Sequence, residues 1–155
     1  MALRDPQGGG TVIVVDASVV AYLLIEGELT DVVRELYRVD SDWVTPPILN
    51  HEILSILAAV GTEEQSSHSV EVIWRDVRAL LGSRQQVPDP VNSLRLAVEL
   101  GISGFDAQYL SLAQQLHLPL ITGDARLIDA TRRRAGSPIA PVLSPSDYLR
   151  ARAGS

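Results

Sequence analysis

Apolar residues follow two rhythms along this chain. Val12 to Val15 form an unbroken aliphatic run that stops on Asp16. The absence of alternation reads as a short strand over 11–16, buried on both faces. Leu29, Val32, Val33 and Leu36 then recur at i, i+3, i+4 and i+7, which predicts a helix over 29–39. "DWVTPP" at 42–47 reads as a short strand ending in prolines. A helix over 46–60 follows, with proline in its first turn and Gly61 as its expected C-cap. Val70, Ile73, Trp74, Val77, Leu80 and Leu81 predict another amphipathic helix, and "VPDP" at 87–90 a turn or short strand. Helices are expected over 91–100 and 104–117, a strand at 119–122, and a helix over 125–135 stopped by Gly136. A last strand falls at 140–143, and Ser144 with Asp147 forms a capping box for a C-terminal helix.

Strands alternating with helices through short links predict an α/β fold around a parallel sheet. Such sheets bind ligands outside the carboxyl ends of their strands. Asp16, where the first strand hands over to its helix, is therefore expected at that crevice. The chain has 155 residues, which fits one domain over 11–150. Residues 1–10, polar and glycine-rich, read as a disordered arm without the apolar core of a signal peptide. The longest mostly apolar run, 12–25, is interrupted by Asp16 and is too short to span a bilayer. No cysteine is present, which excludes disulfides and thiolate metal sites and fits a cytoplasmic location. All thirteen basic residues are arginines, so chemistry that needs a lysine, whether a P-loop or a Schiff base, is excluded. The net charge of −6 has the wrong sign for an unaided nucleic-acid binder.

Four carboxylates narrow the chemistry. Asp16 and Asp124 each stand directly after a strand and before a helix, so each reads equally as a helix N-cap or as a functional group. Asp106 has capping-box spacing from Ser103, yet shares a helix face with Tyr109, Leu110 and Ala113. Glu52 lies within about 60° of Ile48, Leu49, Ile56 and Ala59 on a helical wheel, at the flank of an apolar face where glutamate is seldom buried unpaired. Carboxylates gathered in one crevice raise each other's pKa. The arrangement makes sense when a divalent cation neutralises it, and oxygen donors alone suit Mg²⁺ or Mn²⁺. Ser18 and Thr122 offer hydroxyls for supporting hydrogen bonds. Such a cation typically serves phosphate chemistry and offsets the acidic charge towards a polyanionic substrate.

The stretches "VVDASVVAYLL", "PPILNHEILSIL" and "SGFDAQYLSLAQQLHLPLITGDARL", in that order, resemble a PIN-domain nuclease, and within that group the VapC-type toxins of bacterial toxin–antitoxin pairs. The likeness covers residues 11–149. Its most specific part is Asp106-Ala107, Tyr109, Leu-x-Leu-Ala, and a strand ending Thr122-x-Asp124. The resemblance implies a three-layer α/β/α sandwich with a central, mainly parallel sheet. It implies a Mg²⁺- or Mn²⁺-dependent endoribonuclease with Asp16, Glu52, Asp106 and Asp124 as catalytic, metal-binding acids. It also implies an RNA substrate, a small cognate antitoxin and a homodimer, with no membrane. Family members often carry asparagine three residues after the glutamate; Ser55 stands there, which leaves that polar support in question.

Arg126, two residues past Asp124, is the candidate contact to an RNA phosphate. Arg132, Arg133 and Arg134 read as a solvated last helical turn. His51 points about 100° away from Glu52 and reads as structural; His68 and His117 read as scattered surface or core-edge histidines without ligand spacing, and Trp43 and Trp74 as core or interface. A haloacid-dehalogenase-like enzyme would need a second aspartate where Ser18 stands, and a response-regulator receiver would need a lysine. The remaining alternatives are an RNA- or partner-binding module without catalysis and a housekeeping RNA-processing nuclease.

Overall fold

The computed structural model describes residues 10–64, 67–134 and 140–154. The expected arm, apart from Gly10, the Gly136 helix stop and the side chain of His68 lie outside the described residues. The elements run β1 (Ile13–Val15), α1 (Ala17–Leu24), α2 (Thr30–Val39), β2 (Trp43–Val44), α3 (Ile48–Glu64), α4 (Ser67–Leu81), α5 (Pro90–Leu100), α6 (Gly104–Leu116), β3 (Leu120–Ile121), α7 (Ala125–Arg132), β4 (Val142–Leu143) and α8 (Pro145–Ala153).

Every ladder in the sheet is parallel, and the strand order is β2-β1-β3-β4. Parallel strands covered on both faces need no polar alternation, which explains the aliphatic run Val12 to Val15. Successive side chains enter opposite cores. Ile13, Val15, Trp43 and Ile121 pack with residues of α1 to α4 and α8 on one face. Val14, Val44, Leu120 and Val142 pack with residues of α5, α6 and α7 on the other. The result is the expected three-layer α/β/α arrangement.

Local chemistry sets the helix ends. Asp16, Asp89, Ser103, Asp124 and Ser144 each accept a backbone N–H in the first turn of α1, α5, α6, α7 and α8 respectively, satisfying donors that a helix N-terminus leaves orphaned. Helix α5 ends on Gly101 in the left-handed region, at φ 64°, where glycine carries no Cβ penalty. One expectation fails: Gly61 does not cap α3, which continues to Glu64. An interior glycine costs a helix only about 1 kcal/mol, and the packing of α3 against α4, with Leu57, Val77 and Leu81 buried between them, outweighs that.

Helix α8 returns to the start of the chain and is fastened there. The fully buried Asp40 carboxylate accepts hydrogen bonds from the Thr11 amide (2.8 Å), the Tyr148 hydroxyl (2.7 Å) and the Arg152 guanidinium (3.1 Å). Among the described residues no helix is long and apolar enough to cross a membrane.

From β1 the chain moves to one side for β2 and later to the other side for β3. The crevice between β1 and β3 at their carboxyl ends is thus the topological switch point, where open α/β sheets place ligands. Asp16 directly follows β1, and Thr122, Gly123 and Asp124 directly follow β3.

Candidate functional site

Asp16 is the buried anchor of this crevice, at 5% exposure. Its Oδ1 accepts the Ser18 hydroxyl at 2.5 Å and the Val19 amide at 3.2 Å, and its Oδ2 accepts the Thr122 hydroxyl. Ser18 Oγ in turn accepts the Gly123 amide at 2.9 Å, and Thr122 Oγ1 accepts the Asp124 amide at 2.9 Å. The turn after β3 is therefore stitched to the turn after β1 through the carboxylate of Asp16. Ser18 and Thr122 thus both hold the Asp16 carboxylate.

The other three acids are each held through one oxygen. Glu52 Oε2 accepts the Tyr109 hydroxyl at 2.5 Å. Asp106 Oδ2 accepts the Ser103 hydroxyl at 2.9 Å, while Ser103 Oγ accepts the Asp106 amide. Asp124 Oδ1 accepts the Arg126 amide at 2.8 Å. The second oxygen of each has no hydrogen-bond partner among the described residues, and none of the four acids is ion-paired to an arginine there.

The acids sense one another. Burial pushes the Asp16 carboxyl above its ordinary value, against hydrogen bonds from Ser18, Thr122 and Val19 that favour the charged form, and the Asp106 charge adds to the rise. Burial also raises Glu52, with Asp16 and Asp106 contributing and the Tyr109 hydrogen bond opposing. Asp106 is raised by burial and by Asp124, with Ser103 opposing. Burial, then the negative charge of Glu52, pushes the Tyr109 phenol well above its ordinary range, so it remains a proton donor.

This donor set fits a hard divalent cation in its chemistry: carboxylate oxygens, no sulfur or imidazole, and mutual repulsion without an internal counter-charge. Among the described residues no group of three such side chains already stands as a ready ligand set, so closing on one ion requires side-chain rotation. The oxygens left free on Glu52, Asp106 and Asp124 are the ones available for it.

The PIN domain family model matches residues 13–133. The chain belongs to the PIN domain family. In shape it is similar to the crystal structure of PAE2754 from Pyrobaculum aerophilum, with a TM-score of 0.64 and 20% sequence identity over 94% of this chain and 100% of that one. At that identity the likeness speaks for the fold alone. No curated protein matches the chain in sequence.

Within this PIN domain the remaining expected residues separate. Arg126 is exposed at the start of α7, and no ion pair engages its side chain among the described residues. Arg132 pairs loosely with Asp147 at 3.8 Å, and Arg133 donates to the Asp129 carbonyl, as a solvated final turn would. His51 and Ser55 are exposed. Trp43 is core at 1% exposure, with its indole N–H on the Asp40 carbonyl, whereas Trp74 is half-buried beneath Arg78. Two contacts at the crevice were not foreseen from the sequence. Tyr109 as the partner of Glu52 was signalled only by its place three residues after Asp106. Gly123, whose Cβ would fall 3.0 Å from Ser18 Oγ, carried no signal beyond its neighbours.

Proposed function

We propose that residues 11–150 form a Mg²⁺- or Mn²⁺-dependent endoribonuclease that acts as the toxin of a VapC-type toxin–antitoxin pair. The observation that supports this reading is that Asp16, Glu52, Asp106 and Asp124, held on four elements, stand close enough for their charges to repel, without an ion-pair partner among the described residues. Asp16, Glu52, Asp106 and Asp124 would hold the cation. When bound, the cation neutralises charge on a phosphoryl oxygen and lowers the pKa of a water molecule. The chain's own residues do the rest. Ser18 and Thr122 keep Asp16 from turning away. Arg126 engages a flanking RNA phosphate as a charge-assisted donor.

The same acidity suits an inhibitor: a small partner protein that inserts an arginine among the four acids gains charge-assisted hydrogen bonds in a partly dry site. Self-association belongs to this reading as well. Val91, Leu94 and Val98 recur at i, i+3 and i+7 on α5 and stay 74%, 67% and 75% exposed, with Val87 before the helix and Phe105 opening α6. Together they offer on the order of 500 Å² of apolar surface, the size of the largest patch on a typical monomer and short of the roughly 800 Å² per partner of an ordinary interface, so they would form only part of such a contact.

A second reading, RNA or partner binding without catalysis, is favoured by one observation: no three of the acids are already gathered around one point. Expression of the chain alone in a bacterial cell separates the two. The toxin reading expects slowed growth with cleaved RNA, relief by the small protein encoded beside it, and no harm from Asp16→Asn. Normal growth with intact RNA, despite folded protein, leaves the binding module.

A further inference from the structure

We propose that Tyr109 is a positioning residue that pins Glu52 by one oxygen and so leaves the other free for a cation. The inference rests on the metal-site reading above. The other three acids are oriented from their own helix turns or from the sheet edge: Asp106 by Ser103, Asp124 by the Arg126 amide, and Asp16 by Ser18, the Val19 amide and Thr122 from the turn after β3. Glu52 is different. It rises from α3, whose buried residues Leu49, Ile53 and Leu57 belong to the core on one face of the sheet. Tyr109, 1% exposed, belongs to the core on the other face. Their hydrogen bond, 2.5 Å long between residues 57 apart, joins the two helical layers at the carboxyl end of the sheet.

Among the described residues no other side chain ties the Glu52 carboxylate to the group formed by Asp16, Asp106 and Asp124. Glutamate has one more rotatable bond than aspartate and sits half-exposed. Unpinned, it would sample rotamers pointing away from the crevice. A phenol can give one proton and a carboxylate can only accept, so the direction of the bond is fixed. Because Tyr109 and Asp106 lie three residues apart on one helical face, α6 presents its own acid and the clamp for α3's acid together. Phenylalanine would fill the same space, so it is the hydroxyl that this role requires.

The test uses full-length wild type, Tyr109→Phe, Glu52→Ala and the double variant. Mn²⁺ affinity is read from the electron paramagnetic resonance of free ion, RNA cleavage as separate kcat and KM, and folding from metal-free melting curves. Loss of an orienting partner typically weakens metal binding by about 10–100-fold. Tyr109→Phe is expected to weaken Mn²⁺ by roughly tenfold, with the KM for RNA unchanged at saturating metal. In the Glu52→Ala background the same substitution should change Mn²⁺ affinity no further, since its effect passes through Glu52. Unchanged Mn²⁺ affinity in Tyr109→Phe, or an equal further loss in the double variant, overturns the positioning role while a metal-dependent wild type leaves the nuclease reading standing. A wild type that neither binds Mn²⁺ nor cuts RNA overturns both.

Discussion

Gly123→Ala should loosen the site from inside the turn that follows β3. A Cβ at this position would fall 3.0 Å from Ser18 Oγ and 3.2 Å from Leu29 Cδ1, where ordinary contact is about 3.5–4 Å. Ser18 cannot simply swing aside. Its hydroxyl donates to Asp16 Oδ1 at 2.5 Å and accepts the Gly123 amide at 2.9 Å, so a shift of a few tenths of an ångström strains at least one of these bonds. Forcing a methyl group into a filled space costs about 1–3 kcal/mol. The stiffer unfolded chain returns about 0.4–1 kcal/mol. The net loss is about 1–2 kcal/mol, a fall of roughly 2–8 °C in melting temperature for a chain of this size. Since the displaced hydroxyl aims Asp16, RNA cleavage at saturating Mn²⁺ should fall further than stability alone accounts for. Scanning calorimetry and a cleavage assay on the same preparation measure both. Ser18→Ala in the Gly123→Ala background removes the closest clash and should recover part of the lost stability. A variant that melts within about 1 °C of wild type and cuts RNA at full rate would show that the turn accommodates the methyl group, and the reasoning would fail.

Four further outcomes are expected. Asp16→Asn and Asp106→Asn should each abolish RNA cleavage with the fold intact, and Asp106→Asn should melt no lower than wild type without metal, because a buried repulsion is relieved; wild-type cleavage by both variants would overturn the site assignment. Millimolar Mn²⁺ should raise the melting temperature of wild type, as any ligand of the folded state does, and Glu52→Gln should blunt the rise in the same thermal scan. In chelator, the raised pKa values of Asp16, Glu52 and Asp106 mean that the folded state holds more protons than the unfolded one. Their penalty is absent below the ordinary carboxylate range and grows as pH rises through the folded values, so melting temperature should increase as pH falls from neutral towards the ordinary carboxylate range, and a steady decrease over that range would count against the cluster. Asp40→Ala leaves the buried donors of Thr11 and Tyr148 unpaired and should cost about 2–5 kcal/mol by chemical denaturation, without changing Mn²⁺ affinity.

The layers were legible because burial on both faces leaves a plain mark. Ile13, Val14 and Val15 lie at 0% exposure, and only a strand between two helical layers tolerates three aliphatics without alternation. Helix α2 showed through for the opposite reason, since one buried face against solvent imposes the i, i+3, i+4 pattern. Gly61 misled because a local stop signal is weak: Leu57 is buried against α4, whose contribution appears only after the chain has folded back. The strands proved shorter than the apolar runs, since pairing stops where β1 and β3 open into the crevice. Tyr109 to Glu52, Ser18 to Gly123 and Thr122 to Asp16 span 57, 105 and 106 residues. No periodicity encodes contacts at such separations.

Asp16 and Asp124 show why the two expectations for these acids do not exclude each other. In a parallel sheet every strand delivers its chain to a helix N-terminus at the same edge, where an aspartate satisfies orphaned amides. Asp16 caps α1 through the Val19 amide and Asp124 caps α7 through the Arg126 amide. The same positions border the switch-point crevice, so a side chain that caps the helix with one oxygen has the rest of its carboxylate at the ligand edge. The positive end of each helix dipole also offsets part of the charge that the acids impose on one another, by about 0.3–1 kcal/mol at each terminus. Asp106 lies inside the first turn of α6, behind its cap Ser103, although α6 follows α5 rather than a strand. Glu52 alone has no helix terminus to hold it, and it is the acid for which the fold supplies a clamp from the opposite layer.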